Sequence, residues 1–256
     1  MKNINPEFVK RMIVGSENLT EIRTKFFNGE KITEQEIKDT ISVTPTHPLI
    51  NWDENTRLTL LPWTALEHLH FAIKDTVERG IEGDFIETGA WAGGACILAK
   101  SIYNEIAPNK KVYVADSFEG LPKPDEAFPQ DNGDTHYLDP MLAVSLPQVT
   151  ENFNKFNLID ENLIFVKGWF KDTMPKLKVD KLSILRLDGD MYESTIQVLD
   201  ALYDKLSIGG YLIIDDYHHK SCIAAIQDFR TKHNITDTII KVDGHPLNEV
   251  HYWIKS

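Results

Sequence analysis

The chain has 256 residues, 42% hydrophobic and 26% charged, which suits one α/β domain with an appendage, or two small domains, and indicates no exotic class. A net charge of −12, from 27 Lys and Arg against 39 Asp and Glu, argues against nucleic acid or an anionic membrane as partner and favours a cationic ligand or a metal. No stretch approaches the roughly 18 apolar residues of a membrane span, the first residues lack a long apolar core, and Cys96 and Cys222 read as buried free thiols, so a cytoplasmic protein is expected.

Residues 1–80 read as an N-terminal helical cap or lid, and 81–256 as the main domain. Thr33 to Ile41 is a short helix candidate, and T-P-T-H-P-L at 44–49 is a turn-rich break. From Asn55 to Arg79 a helical stripe runs through Leu58, Leu61, Leu66, Leu69, Ile73 and Val77 and closes at Gly80. His68 and His70 lie within it at i, i+2, on different faces, so they cannot hold one metal together and are read as packing residues.

Asp84 to Glu87 is the first strong strand, followed by a turn containing Gly89, Gly93 and Gly94 and then a helix, the opening βα unit of a cofactor-binding α/β fold. The spacing is not G-x-G-x-x-G and no P-loop lysine follows, which disfavours a dinucleotide or ATP. Glu87 beside the turn would repel a pyrophosphate but suits an ammonium or sulfonium group. The second strand, Lys111 to Ala115, ends at Asp116, where a carboxylate can accept from both hydroxyls of a ribose. Pro122 to Pro140 reads as an active-site loop or flap, and Val144 to Asn157 returns to helical spacing. A third strand ends at Gly168, with Trp169 and Phe170 available to cover a flat ring or to pack in the core.

Two apolar runs, Leu182 to Leu187 and Tyr211 to Ile214, flank a helical pattern from Ser194 to Leu206 that is expected to stop at Gly209-Gly210. In such a right-handed βαβ unit, Asp188, Asp190, Asp215 and Asp216 all emerge at the carboxyl edge of one sheet. Four acids there repel one another, so either some stay protonated or a hard, oxygen-loving divalent cation such as magnesium or calcium sits among them. A helix from Cys222 to His233 and an antiparallel hairpin, Thr238 to Val242 with Val250 to Ile254, complete the chain.

The segments I-E-T-G-A-W-A-G-G-A-C-I, V-A-D-S-F-E-G-L-P, G-W-F-K-D-T-M-P, L-R-L-D-G-D-M-Y-E-S-T and G-G-Y-L-I-I-D-D-Y, spanning Ile86 to Tyr217, resemble the macrocin O-methyltransferase (TylF-type) family. The resemblance implies a class I S-adenosylmethionine (SAM) fold with a central seven-stranded sheet. It also implies magnesium at Asp188, Asp215 and Asp216, a general base at Asp190, and methyl transfer to a hydroxyl of a sugar, nucleotide sugar or glycoside. Cofactor positions carried over are Glu87, Thr88, Gly89, Asp116, Ser117, Gly168, Trp169, Phe170 and Asp188, with Glu87 meeting the methionine amino group and Gly168 to Phe170 the adenine. His218 is the reserve base, and a homo-oligomer is expected, with the N-terminal helices as its contact. A catechol-type acceptor and a non-catalytic SAM-binding protein are the alternatives. Ala92, the pair His218 and His219, and the longer C-terminal ending depart from the family pattern and bear on the acceptor.

Overall fold

The structure, a computed structural model, describes residues 4–43, 57–243 and 250–256. The break at 44–49 and residues 244–249 of the C-terminal ending lie outside these residues.

Helices α1 (Pro6–Val14), α2 (Thr20–Phe27), α3 (Glu34–Ser42) and α4 (Trp63–Glu78) precede the first strand. The α3 helix starts as its sequence dictates: Thr33 and Glu36 form a reciprocal capping box. The long stripe from Asn55 splits. Residues 57–62 are not helical, and α4 begins only after Pro62, which disfavours helical backbone at the residue before it. Leu58 and Leu61 are nonetheless buried, so their spacing reports burial and not a helix face.

The remaining elements are β1 (Asp84–Thr88), α5 (Gly94–Ile106), β2 (Val112–Asp116), α6 (Leu146–Lys155), β3 (Leu163–Lys167), α7 (Phe170–Thr173), β4 (Leu182–Leu187), α8 (Tyr192–Leu202), β5 (Leu206–Ile214), α9 (Lys220–Lys232), β6 (Ile240–Lys241) and β7 (His251–Ile254). Among the described residues they build a seven-stranded sheet in the order β3-β2-β1-β4-β5-β7-β6. Strands β1 to β5 pair in parallel, and β7 pairs antiparallel with both β5 and β6. Gly209 and Gly210 do not end a helix. The α8 helix stops at Leu202 and both glycines lie inside β5, where a Cβ on Gly210 would come within 2.8 Å of the Ser183 carbonyl.

Strands β1 to β5 divide their side chains between two apolar layers. Phe85, Val112, Val114, Ile184 and Ile213 face a layer built with α1, α4 and α5, whereas Ile86, Ala115, Leu185, Leu187, Leu212 and Ile214 face one built with α8 and α9. Helix α1 contributes Phe8, Val9, Met12 and Ile13 to the same layer as Phe85 and Cys96. His68 belongs to this packing. Its ring lies 4.3 Å from that of Tyr252, and neither ring nitrogen finds a partner among the described residues.

Burial lowers the pKa of His68 to about 4, against an ordinary value near 6.5. A buried neutral imidazole stabilises the fold fully above the unfolded pKa, and that stability is lost as pH falls from 6.5 toward 4, by up to about 3 kcal/mol. Replacing His68 by Phe keeps the stacking and removes the protonation. The variant is expected to melt higher than the parent at pH 5 and to differ less at pH 8, as read by calorimetry.

Candidate active site

The strand order reverses between β1 and β4, the place where an open parallel sheet leaves a crevice at its carboxyl edge. A cavity of about 470 Å³ occupies that crevice and is lined by Glu87, Gly89, Asp116, Gly168, Trp169, Phe170, Asp188, Asp190, Asp215 and Asp216, among others. Residues from five separate strand ends thus meet in one space.

At one end lies the glycine turn. Gly89 has φ 96°, and a Cβ there would sit 1.6 Å from the Asp188 carbonyl oxygen, so only glycine lets the turn cross the end of β4. Asp116 Oδ2 accepts from the amides of Ala90 (2.7 Å) and Trp91 (3.1 Å), and Oδ1 accepts from Phe118 (2.7 Å). Asp116 therefore fastens the turn to the end of β2 while also lining the cavity. Ser117 lines the same wall and donates to the Gly120 carbonyl. Gly168, at φ 135°, lets the chain turn so that Trp169 and Phe170 both reach the cavity. Thr88 differs from expectation. Strand alternation turns it away from the Glu87 side, its hydroxyl donates to the Arg186 carbonyl (3.2 Å), and it does not line the cavity.

At the other end are the acids. Oxygen atoms of Asp188, Asp215 and Asp216 lie within 4.8 Å of one another. Burial first, and mutual repulsion second, raise the pKa of Asp188 and Asp216 above the ordinary carboxylate range. Asp190 sits in the left-handed region, φ 56°, and its amide donates to Asp216 Oδ2 at 2.9 Å. Burial and Asp188 raise its pKa as well. Sequence reasoning missed Arg186, which points into this cluster from β4: Nη1 donates to Glu87 and to Asp188 Oδ2 (2.6 Å), and Nη2 to Asp215 Oδ1 (2.5 Å). A single charge inside the apolar run L-S-I-L-R-L was the signal for it, because a buried charge requires partners.

The histidines also divide differently. His218 is exposed and does not line the cavity. His219, the N-cap of α9, stacks its ring on that of His218 at 3.9 Å and brings Nε2 to 3.5 Å from Asp190 Oδ1, and ring nitrogens of both histidines lie within 4.8 Å of an Asp216 oxygen. Its ring meets that of His136 edge-on at 5.5 Å, and His136 Nδ1 lies 3.0 Å from both oxygens of Asp134, which raises the pKa of His136.

His136 comes from the loop after β2, and that loop is pegged. Asp131 is buried, and its two oxygens accept from the amides of Tyr192 (2.7 Å) and Glu193 (2.9 Å), capping α8 from 61 and 62 residues away. Asp131→Ala is expected to cost about 1–2 kcal/mol in urea unfolding and to speed proteolysis between Pro122 and Ala143.

The sequence profile of the macrocin O-methyltransferase (TylF) family matches residues 19–254. The chain belongs to the TylF family. Among its relatives, demethyldecarbamoylnovobiocin O-methyltransferase of Streptomyces niveus is 40% identical over 79% of the chain and 77% of the relative. Mycinamicin III 3″-O-methyltransferase of Micromonospora griseorubida is 38% identical over 77% and 78%. An 8-demethyl-8-(2,3-dimethoxy-α-L-rhamnosyl)-tetracenomycin C 4′-O-methyltransferase of Streptomyces olivaceus is 38% identical over 73% and 72%. The solved structure of the O-methyltransferase NovP superposes with a TM-score of 0.74 at 38% identity, covering 78% of this chain and 83% of that one. This TylF chain is thus an O-methyltransferase with the class I SAM-dependent fold expected from its sequence. No helix among its described residues is long and apolar enough to cross a membrane.

Proposed function

We propose that this chain transfers a methyl group from SAM to a hydroxyl on a sugar of a natural product, with a divalent cation held by Asp188, Asp215 and Asp216. The observation that carries this is a single cavity whose two ends suit the two halves of the reaction. One end offers Glu87, Asp116, Trp169 and Phe170, which suit an ammonium, a ribose and an adenine. The other offers four carboxylates. Two curated relatives named for 3″- and rhamnosyl 4′-O-methylation support a sugar hydroxyl as acceptor.

The donor set fits the metal. Three carboxylate oxygens within 4.8 Å of one another make a hard, all-oxygen site suited to magnesium. A cation there supplies the positive charge that lowers the pKa of an acceptor hydroxyl. Asp190 takes the hydroxyl proton as the oxygen forms its bond to the methyl carbon and the carbon–sulfur bond breaks, leaving S-adenosylhomocysteine. Its raised pKa makes it a better base than an exposed aspartate. The backbone bond from Asp190 to Asp216 holds base and cation site in fixed relation. Leu58, Leu60, Leu61 and Trp91 add apolar wall to the same cavity.

The test is titration of SAM and S-adenosylhomocysteine into the protein with magnesium and after chelation, followed by mass spectrometry on glycosides and nucleotide sugars. Micromolar binding and a gain of one methylene on a sugar hydroxyl are expected. Failure to bind either ligand in any metal condition would end the proposal.

A further inference from the structure

Arg186 is 2% exposed, and its position follows from sheet register. On β4 it stands opposite Glu87 of β1 and opposite Ile213 of β5. Two residues further along each strand direction, Asp188 and Asp215 return to the same face. One guanidinium is therefore flanked by a carboxylate on the cofactor side and two on the cation side. Nη1 is shared between Glu87 and Asp188 Oδ2, and Nη2 holds Asp215 Oδ1. Glu87 is held from its other oxygen by Cys96 Sγ at 2.8 Å.

We propose that Arg186 is a positioning residue that ties the cation site to the cofactor pocket, so that the two ligands bind with linked affinities; this rests on the functional reading above. The planar fork fixes the bearings of three carboxylates at once, bonding one oxygen of Asp188 and one of Asp215. It orients the cation ligands from behind, as hydrogen-bonding partners of metal ligands do. Its charge is also divided. Whatever share Glu87 takes is not spent on Asp188 and Asp215, so a change at Glu87 is felt at the cation site although Glu87 lies outside the cluster of candidate ligands.

Two conservative variants test this, with Mn²⁺ binding followed by electron paramagnetic resonance and S-adenosylhomocysteine binding by calorimetry, each ligand alone and with the other. Arg186→Lys keeps the charge but draws its partners toward one nitrogen; it is expected to weaken Mn²⁺ binding about 10–100-fold. Glu87→Gln leaves the guanidinium's charge wholly on Asp188 and Asp215, which then compete harder with the incoming ion. It is expected to weaken Mn²⁺ binding about fivefold or more, the low end of inter-site coupling. In the parent chain each ligand shifts the affinity for the other, and in Arg186→Lys that mutual shift is lost. A residue that only stabilised the fold would lower the melting temperature and leave the affinities of the folded protein alone. If Arg186→Lys does not fold, Glu87→Gln carries the test. Parental Mn²⁺ affinity in Glu87→Gln overturns the proposal. A parent chain that binds neither ligand overturns the functional reading instead, and the proposal with it.

Discussion

Asp190→Asn is expected to lower turnover about 10²–10⁴-fold, the range for loss of a general base, while S-adenosylhomocysteine binds as before. The substitution is well suited to the position. Asparagine tolerates the left-handed backbone at φ 56° that most residues resist, and it preserves the amide that donates to Asp216. The loss would therefore report on the missing carboxylate and not on a rearranged loop. Rapid-quench measurement of a single turnover separates the chemical step from product release. If the variant turns over at the parental rate, the base is elsewhere, and His219, 3.5 Å from Asp190, is next to be replaced.

Chelation is expected to cost several kcal/mol of transition-state stabilisation, about 100-fold or more in turnover, with recovery on adding magnesium. The same site makes a second, independent prediction about stability. Asp188 and Asp216 have folded pKa values raised above the unfolded value, so the metal-free fold is favoured where they stay protonated and loses stability as pH rises through their window. A bound cation reverses that loss by favouring the ionised carboxylates. The rise in melting temperature on adding magnesium should consequently grow between pH 5.5 and pH 8. An equal rise at both ends would mean that ion binding is not linked to these carboxylates.

Much of this was legible in the sequence because buried parallel strands are hard to disguise. The runs D-F-I-E, K-V-Y-V-A and L-S-I-L-R-L are short, apolar and punctuated by acids, and each became a strand of the sheet within a residue or so. The convergence of Asp188, Asp190, Asp215 and Asp216 followed from right-handed crossover geometry alone. What escaped depended on contacts between distant residues. No local pattern could pair Arg186 with Glu87, because the sheet register that joins them is a property of the whole fold. Leu58 and Leu61 mimicked a helix because burial alone set their spacing, and Gly209-Gly210 looked like a stop because glycine in a strand is rare where no neighbouring backbone crowds it. That His219 and not its stacked neighbour His218 makes the contact with Asp190 is a matter of side-chain placement in the turn before α9, which composition does not record.

The peg at Asp131 has a consequence for how enzymes of this architecture could diversify. Its two bonds clamp the loop to the first turn of α8, and Trp91 Nε1 clamps it again further on by donating to the Met141 carbonyl at 2.8 Å. The stretch between those clamps, which carries Asp134, His136 and the exposed Leu138, is suspended like an interchangeable cassette. A graft spanning 132–140 from another enzyme would inherit both anchor points, and a change of acceptor preference in such a chimaera would show that this stretch meets the acceptor.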